Sequence, residues 1–251
     1  MTSAQLQKYM VETYFWLRVG LGALALAFPP VVVAIGRWHG ILLQDSLSAY
    51  YFAFAPPGSD LRVFPGRVVF VGILFSFAFF LLLYRGFSRT EGWLLNIAGL
   101  SALVIALFPM HTPDYCHNCG SDTYAYVHGI AAVSLFVFIA LDAWACTDQT
   151  LGELPPGQQR WFRWCYSVLA SLMVMLPILV LVMTFFFGIY GKRIIFIEWV
   201  GIWTFAVYWF LKTYELSLSG AEMLALAGRL APPPAITHGF SLRRRVGTLL
   251  D

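Results

Sequence analysis

Residues 68–84 read VVFVGILFSFAFFLLLY, a run between Arg67 and Arg85 that contains no Asp, Glu, Lys or Arg. As a helix rising 1.5 Å per residue, such a run covers roughly 26 Å. The hydrocarbon core of a bilayer is about 30 Å thick. β-Strands of outer-membrane barrels alternate in polarity over about 10 residues, whereas this run is continuously apolar. Backbone groups in lipid must be paired within their own segment, so the run is expected to be a transmembrane helix.

Working outward from this stretch, the same pattern recurs at 19–36, 92–113, 123–141 and 164–191, and at 194–211 with a single charge, Glu198. The composition agrees: of 251 residues, 59% are hydrophobic, 17% aromatic and only 12% charged, and the mean hydropathy is +0.72. Soluble domains carry about 25% charged residues. A disordered chain, a disulfide-stapled secreted mini-protein and an ordinary cytosolic enzyme are thereby excluded. The expected fold is an all-α, polytopic transmembrane bundle of six spans.

Orientation follows from the basic residues. With the N-terminus cytoplasmic, eleven Lys and Arg fall inside and five outside, as the positive-inside rule requires. Both termini are then inside, in a multi-pass protein of the inner (cytoplasmic) membrane. The net charge of +3 and the pI near 8.7 reflect this asymmetry. They do not describe a nucleic-acid surface, so membrane lipids are the expected partners. Residues 19–28 have the length of a signal-peptide core, but the apolar run continues to Ile35 and Glu12 lies upstream. An uncleaved first helix is expected, kinked or started afresh at Pro29-Pro30. The six-span domain is placed at 1–213, and residues 214–251 are read as a short amphipathic surface helix followed by a polar cytoplasmic tail.

Polar residues at membrane depth are costly and mark candidate sites. Asp45, Ser46, Ser48, Tyr50 and Tyr51 lie in the first outside connection, His111 ends the third run, His128 opens the fourth and Glu198 opens the sixth. On this topology all belong to the outer ends of the helices, and together they are the candidate ligand-binding residues. Cys116 and Cys119 in the outer hairpin turn admit a disulfide, a simple turn, or half of a metal site completed by His111, His117 or His128. Cys146 and Cys165 fall on the cytoplasmic side as reduced thiols. Asp142 and Glu215 lie near the cytoplasmic boundary and are expected to be solvated. Trp93, Trp161, Trp164, Trp199, Trp203 and Trp209 read as interfacial belts and packing, and Gly72, Gly99 and Gly129 as close helix contacts. Ser46 or Ser48 with His128 and Asp45 can be written as a triad. No phosphate-binding glycine loop, nucleophile elbow or zincin helix occurs, and the sequence assigns no cofactor or metal.

Ser46-Leu47-Ser48-Ala49-Tyr50-Tyr51, Phe70-Val71-Gly72, Tyr84-Arg85-Gly86, Asn96 with Ala98-Gly99, Ala106-Leu107-Phe108-Pro109, and His128 with Ala131-Ala132 resemble a group of uncharacterised bacterial six-helix membrane proteins. The layout is more loosely similar to the FRAG/DRAM-like superfamily, whose eukaryotic members are tied to lipid remodelling and autophagy. The resemblance spans roughly residues 40–140 and implies an outward-facing site around Ser46, Ser48, Tyr50, Tyr51 and His128. One departure is Arg67-Val68, where the group's pattern leads one to expect an Arg-Asp pair. Three functions are therefore expected in order: an outer polar cleft that recognises a lipid headgroup or other amphipathic molecule, a membrane-embedded (metal-dependent) lipid hydrolase or transferase, and a transporter or channel with Glu198 on its route.

Overall fold

The computed structural model describes residues 1–53, 64–110, 122–185 and 193–230, and every regular element among them is helical. The long helices are α1 (Ser3–Trp38), α2 (Pro65–Leu83), α3 (Arg89–Leu107), α4 (Asp122–Ala145), α6 (Pro156–Phe185) and α7 (Arg193–Ser219); α5 (Asp148–Leu151) and α8 (Ala221–Leu226) are short. Six of these helices are long and apolar enough to cross a membrane.

Local chemistry sets their ends. Thr2 caps α1 in a capping box with Gln5, which pairs two otherwise orphaned donors. At the other end Gly40, with φ 74°, turns the chain, and Ile41 N–H bonds back to Gly36 C=O at 2.9 Å. Only a residue that tolerates left-handed backbone closes a helix this way. Pro65 opens α2, where its missing N–H has no consequence. The third apolar run extends to residue 113, yet α3 stops at Leu107. Pro109 disfavours helical backbone at the residue before it, and Phe108 is extended with φ −109° and ψ 100°.

Pro29 and Pro30 do not start a second helix, because α1 runs straight through them. A proline inside a helix strands the carbonyl four residues earlier. For Pro30 that carbonyl belongs to Leu26, and it accepts the Trp203 indole N–H of α7 at 3.1 Å. In lipid no water would otherwise satisfy it.

The spans pack in a closed ring. α1 lies on α2, α2 on α3, α3 on α4, α4 on α6, α6 on α7, and α7 returns to α1. Gly99 makes the expected close contact, since a Cβ there would fall 2.9 Å from Leu82 Cγ and 3.0 Å from Ala78 O; Gly72 and Gly129 have nothing within 4 Å. Leu26, Phe79, Leu100, Ile130 and Val207 point outward from the bundle, as lipid-facing residues do. Trp93, Trp161 and Trp164 are exposed near helix ends, as belt residues are, whereas Trp203 is exposed in the middle of α7 and Trp209 is buried in the core.

The ring has two ends. One gathers the C-termini of α1, α3 and α6 with the N-termini of α2, α4 and α7 and carries the 45–51 segment; it is called the Ser46 end. The other, where Lys212 is buried, is called the Lys212 end.

Candidate functional site

The segment after α1 folds back over the Ser46 end and closes with a 3-10 turn, Ser48–Tyr51. Its lock to α7 is reciprocal. The N–H of Ile195, in the first turn of α7 and without an intrahelical acceptor, donates to Asp45 C=O at 2.9 Å. Leu47 N–H in turn donates to Glu198 Oε2 at 2.6 Å. Glu198 thus accepts a backbone N–H, and neither Arg67 nor bulk water is its partner at that oxygen. Ser46 Oγ accepts Ala49 N–H at 3.1 Å, which shapes the turn. The Ser46 and Ser48 hydroxyls lie 3.2 Å apart and donate to Met110 Sδ at 3.3 and 2.9 Å.

Tyr50 is a wedge. Its ring is fully buried between α1 and α2, where a Cβ at Gly36 would come within 2.5 Å of Cε1 and a Cβ at Gly66 within 2.9 Å of Tyr50 O. Two glycines therefore make room for one tyrosine. Burial pushes the Tyr50 phenol above its usual pKa, so it remains neutral. Tyr51 is half-buried. The Arg67 guanidinium sits 4.3 Å from the centre of its ring and 4.0 Å from that of Phe64, and Arg67 Nε donates to Tyr51 C=O at 2.7 Å. Where the resemblance leads one to expect a charge pair, Arg67 makes cation–π contacts instead.

His128 projects from the second turn of α4, and its Nδ1 lies 2.8 Å from Phe108 C=O. A carbonyl can only accept, so Nδ1 carries the hydrogen, and when the ring is neutral Nε2 is its acceptor. This bond also staples the extended stretch after α3 onto α4.

Ser48, His128 and Glu198 line one cavity of about 120 Å³, whose other walls are Phe28, Phe70, Leu74, Phe77 and further apolar side chains down to Leu81. Three residues distant in sequence are thus brought together. Phe70, Leu74, Phe77 and Leu81 recur at helical spacing on one face of α2 and run along the bundle for about 16 Å. Ser46, Tyr50 and Tyr51 shape and support this cavity without lining it. The carboxylate of Asp45 does not join them, since Asp45 is exposed and contributes only its carbonyl. The triad reading fails on the same geometry: Nδ1 of His128, the atom an orienting Asp would hold, is bonded to Phe108 C=O, and Ser48 donates to Met110. Among the described residues no three His, Cys, Asp or Glu converge as metal ligands. His111, Cys116, His117 and Cys119 lie outside the described residues.

The Lys212 end holds what sequence reasoning missed. Asp142 and Glu215 are not solvated but 2% and 0% exposed. Lys212 Nζ donates to Glu215 Oε2 at 2.9 Å and to Thr150 Oγ1 at 3.0 Å, and Tyr166 OH donates to the same Glu215 oxygen at 2.9 Å. The signal was available. Tyr208, Lys212 and Glu215 recur at spacings of four and three, so one face of α7 carries all of them. The milder polar residues inside the spans, Ser101, Ser171 and Thr204, bond back to carbonyls of their own helices at 2.8–2.9 Å and carry no site.

No protein-family model, curated protein or solved structure matches the chain, so the reading of its site rests on the chain's own residues.

Proposed function

We propose that the chain is a multi-pass protein of the cytoplasmic membrane, with both termini inside, whose outer cavity recognises an amphipathic ligand. The observation that carries this reading is the polarity gradient of a single cavity, with Ser48, His128 and Glu198 among its lining and aromatic and aliphatic walls elsewhere. A hydrocarbon segment gains about 25 cal/mol for each Å² of apolar surface it buries against such walls, while the polar groups fix its head.

The size limits the ligand. A dry protein cavity of about 150 Å³ takes one benzene ring, and this one is about 120 Å³. It suits a short chain segment or single ring, with the rest of a larger lipid left in the bilayer. The chemistry limits the head. His128 Nε2 and the Glu198 carboxyl are acceptors, and among the described residues no Lys or Arg lines the cavity. A head that donates, such as a hydroxyl or amine, is matched; a phosphate finds no counter-charge. Recognition is the reading that this geometry supports, because among the described residues that line the cavity no nucleophile–base hydrogen bond is formed.

The test uses the full chain in nanodiscs with three eight-carbon probes, an alcohol, an amine and a phosphate monoester, scored by the shift in unfolding temperature. The alcohol and amine are expected to stabilise and the phosphate not to. His128→Ala weakens alcohol binding about tenfold, the loss of one hydrogen bond of roughly 1.4 kcal/mol. Leu74→Trp, which fills the cavity, abolishes it. Failure of all three probes to shift the protein, or shifts that Leu74→Trp leaves intact, would overturn the reading.

A further inference from the structure

Three carboxyls and one ammonium are buried together at the Lys212 end. Glu91, Asp142 and Glu215 are 3%, 2% and 0% exposed, and Lys212 is 5% exposed. Fully ionised, they would carry two uncompensated negative charges. The neighbouring Arg18 does not supply the balance, because its guanidinium is already matched by Glu222 in a bidentate pair at 2.7 and 2.9 Å. Buried charges without partners are not sustained; such groups neutralise instead.

The three carboxyls differ in how well an anion is supported. Glu215 accepts from the Lys212 ammonium and the Tyr166 hydroxyl at a single oxygen. Glu91 accepts Phe87 N–H at 2.7 Å and lies in the first turn of α3, where the positive end of the helix dipole favours negative charge. Asp142 has the weakest support. Tyr208 OH donates to its Oδ2 at 2.5 Å, and its other donor is the Cys146 thiol, a weak one. Its Oδ1, like Glu215 Oε1, is buried and receives no N–H or O–H donor among the described residues, but Asp142 has no ammonium at its other oxygen as Glu215 does. It also lies in the last turn of α4, where the helix dipole opposes an anion.

We propose that Asp142 is a buried proton-binding site, occupied at neutral pH, beside the Lys212–Glu215 ion pair. The groups that face it are Glu91 from α3, Tyr208 and Lys212 from α7, Cys146 one turn on along α4, and Tyr166 from α6. One proton on Asp142 leaves a single excess negative charge, set against the N-terminus of α3. The ligand is a proton rather than a metal ion, since no three acidic or thiol groups there converge as a ligand set, and the ammonium of Lys212 already holds the cation's position. The orphan Oδ1 is where the proton resides, and Oδ2 remains the acceptor for Tyr208.

Infrared spectroscopy on the full chain in nanodiscs tests this. Glu198→Gln serves as the background, so that the carboxyl at the other end is not read. At pH 7 a protonated-carboxyl carbonyl band is expected that shifts in D₂O, and Asp142→Asn removes it. Tyr208→Phe is expected to move the band, because it deletes the hydroxyl donor to that carboxyl. Should Asp142→Asn not fold, raising the pH of the background protein to about 10 is expected to bleach one carboxyl's worth of intensity. Absence of the band at pH 7, its survival in Asp142→Asn, or its indifference to Tyr208→Phe would overturn the assignment.

Discussion

Glu198 and Lys212 stand on the same helix, about 21 Å apart at 1.5 Å per residue, and the bundle treats them in opposite ways. At the Ser46 end one carboxyl answers a backbone N–H, and the polar groups border a cavity. At the Lys212 end an ammonium, carboxyls and phenols answer one another directly. A polar group at membrane depth can be kept for what it binds or for what it holds together. The first end offers polar groups to a cavity, and the second is a packed polar core in which the proposed proton on Asp142 would sit.

The contrast can be broken most sharply at Lys212. Lys212→Met leaves Glu215 and its neighbours buried without their cation, and a loss of about 3–5 kcal/mol is expected in denaturant unfolding of the full chain in micelles. The double variant Lys212→Met with Glu215→Leu should recover most of it. A loss under about 1 kcal/mol would mean that the Lys212 end is wetter than the packed network implies. The next largest effect is expected at the Tyr50 wedge. Gly36→Ala places a methyl group against a buried ring and should cost about 1–3 kcal/mol, whereas Gly72→Ala, with open space around it, should be neutral or slightly stabilising by thermal melting.

Smaller effects sharpen the comparison. Glu198→Gln replaces the carboxyl with an amide as acceptor for Leu47 N–H, so up to about 1 kcal/mol is expected to be lost, visible as faster hydrogen exchange at Leu47. Equal exchange rates would show that this carboxyl does not hold the 45–51 segment. Trp203→Phe strips the donor from the carbonyl that Pro30 strands. Interhelical hydrogen bonds in membranes average about 0.6 kcal/mol, and a melting shift of that size is expected, with the spans otherwise unchanged.

Much of the architecture could be read from the chain because lipid enforces a simple rule, that every backbone group be paired inside its own apolar run. The limits of reading lie where side chains overrule that rule. α3 ends six residues before its apolar run because Pro109 restricts Phe108, and α7 continues past Lys212 and Glu215 because those charges satisfy each other. The candidate site was legible in part. Ser48, His128 and Glu198 do line one cavity, but Asp45, expected beside them for its carboxylate, contributes a carbonyl from an exposed position.

From the amino acids alone come the six membrane-length helices and the end of the bundle at which the described polar residues lie, since these depend on spacing along one chain. Which polar groups meet is a different kind of fact. It depends on α7 closing the ring against α1 and on the neighbours that each side chain finds there. Asp142 and Glu215 resemble boundary residues in sequence, and burial among Tyr166, Tyr208 and Lys212 makes them core. The cost of an unpaired charge is set by its surroundings, and those exist only once the helices have packed.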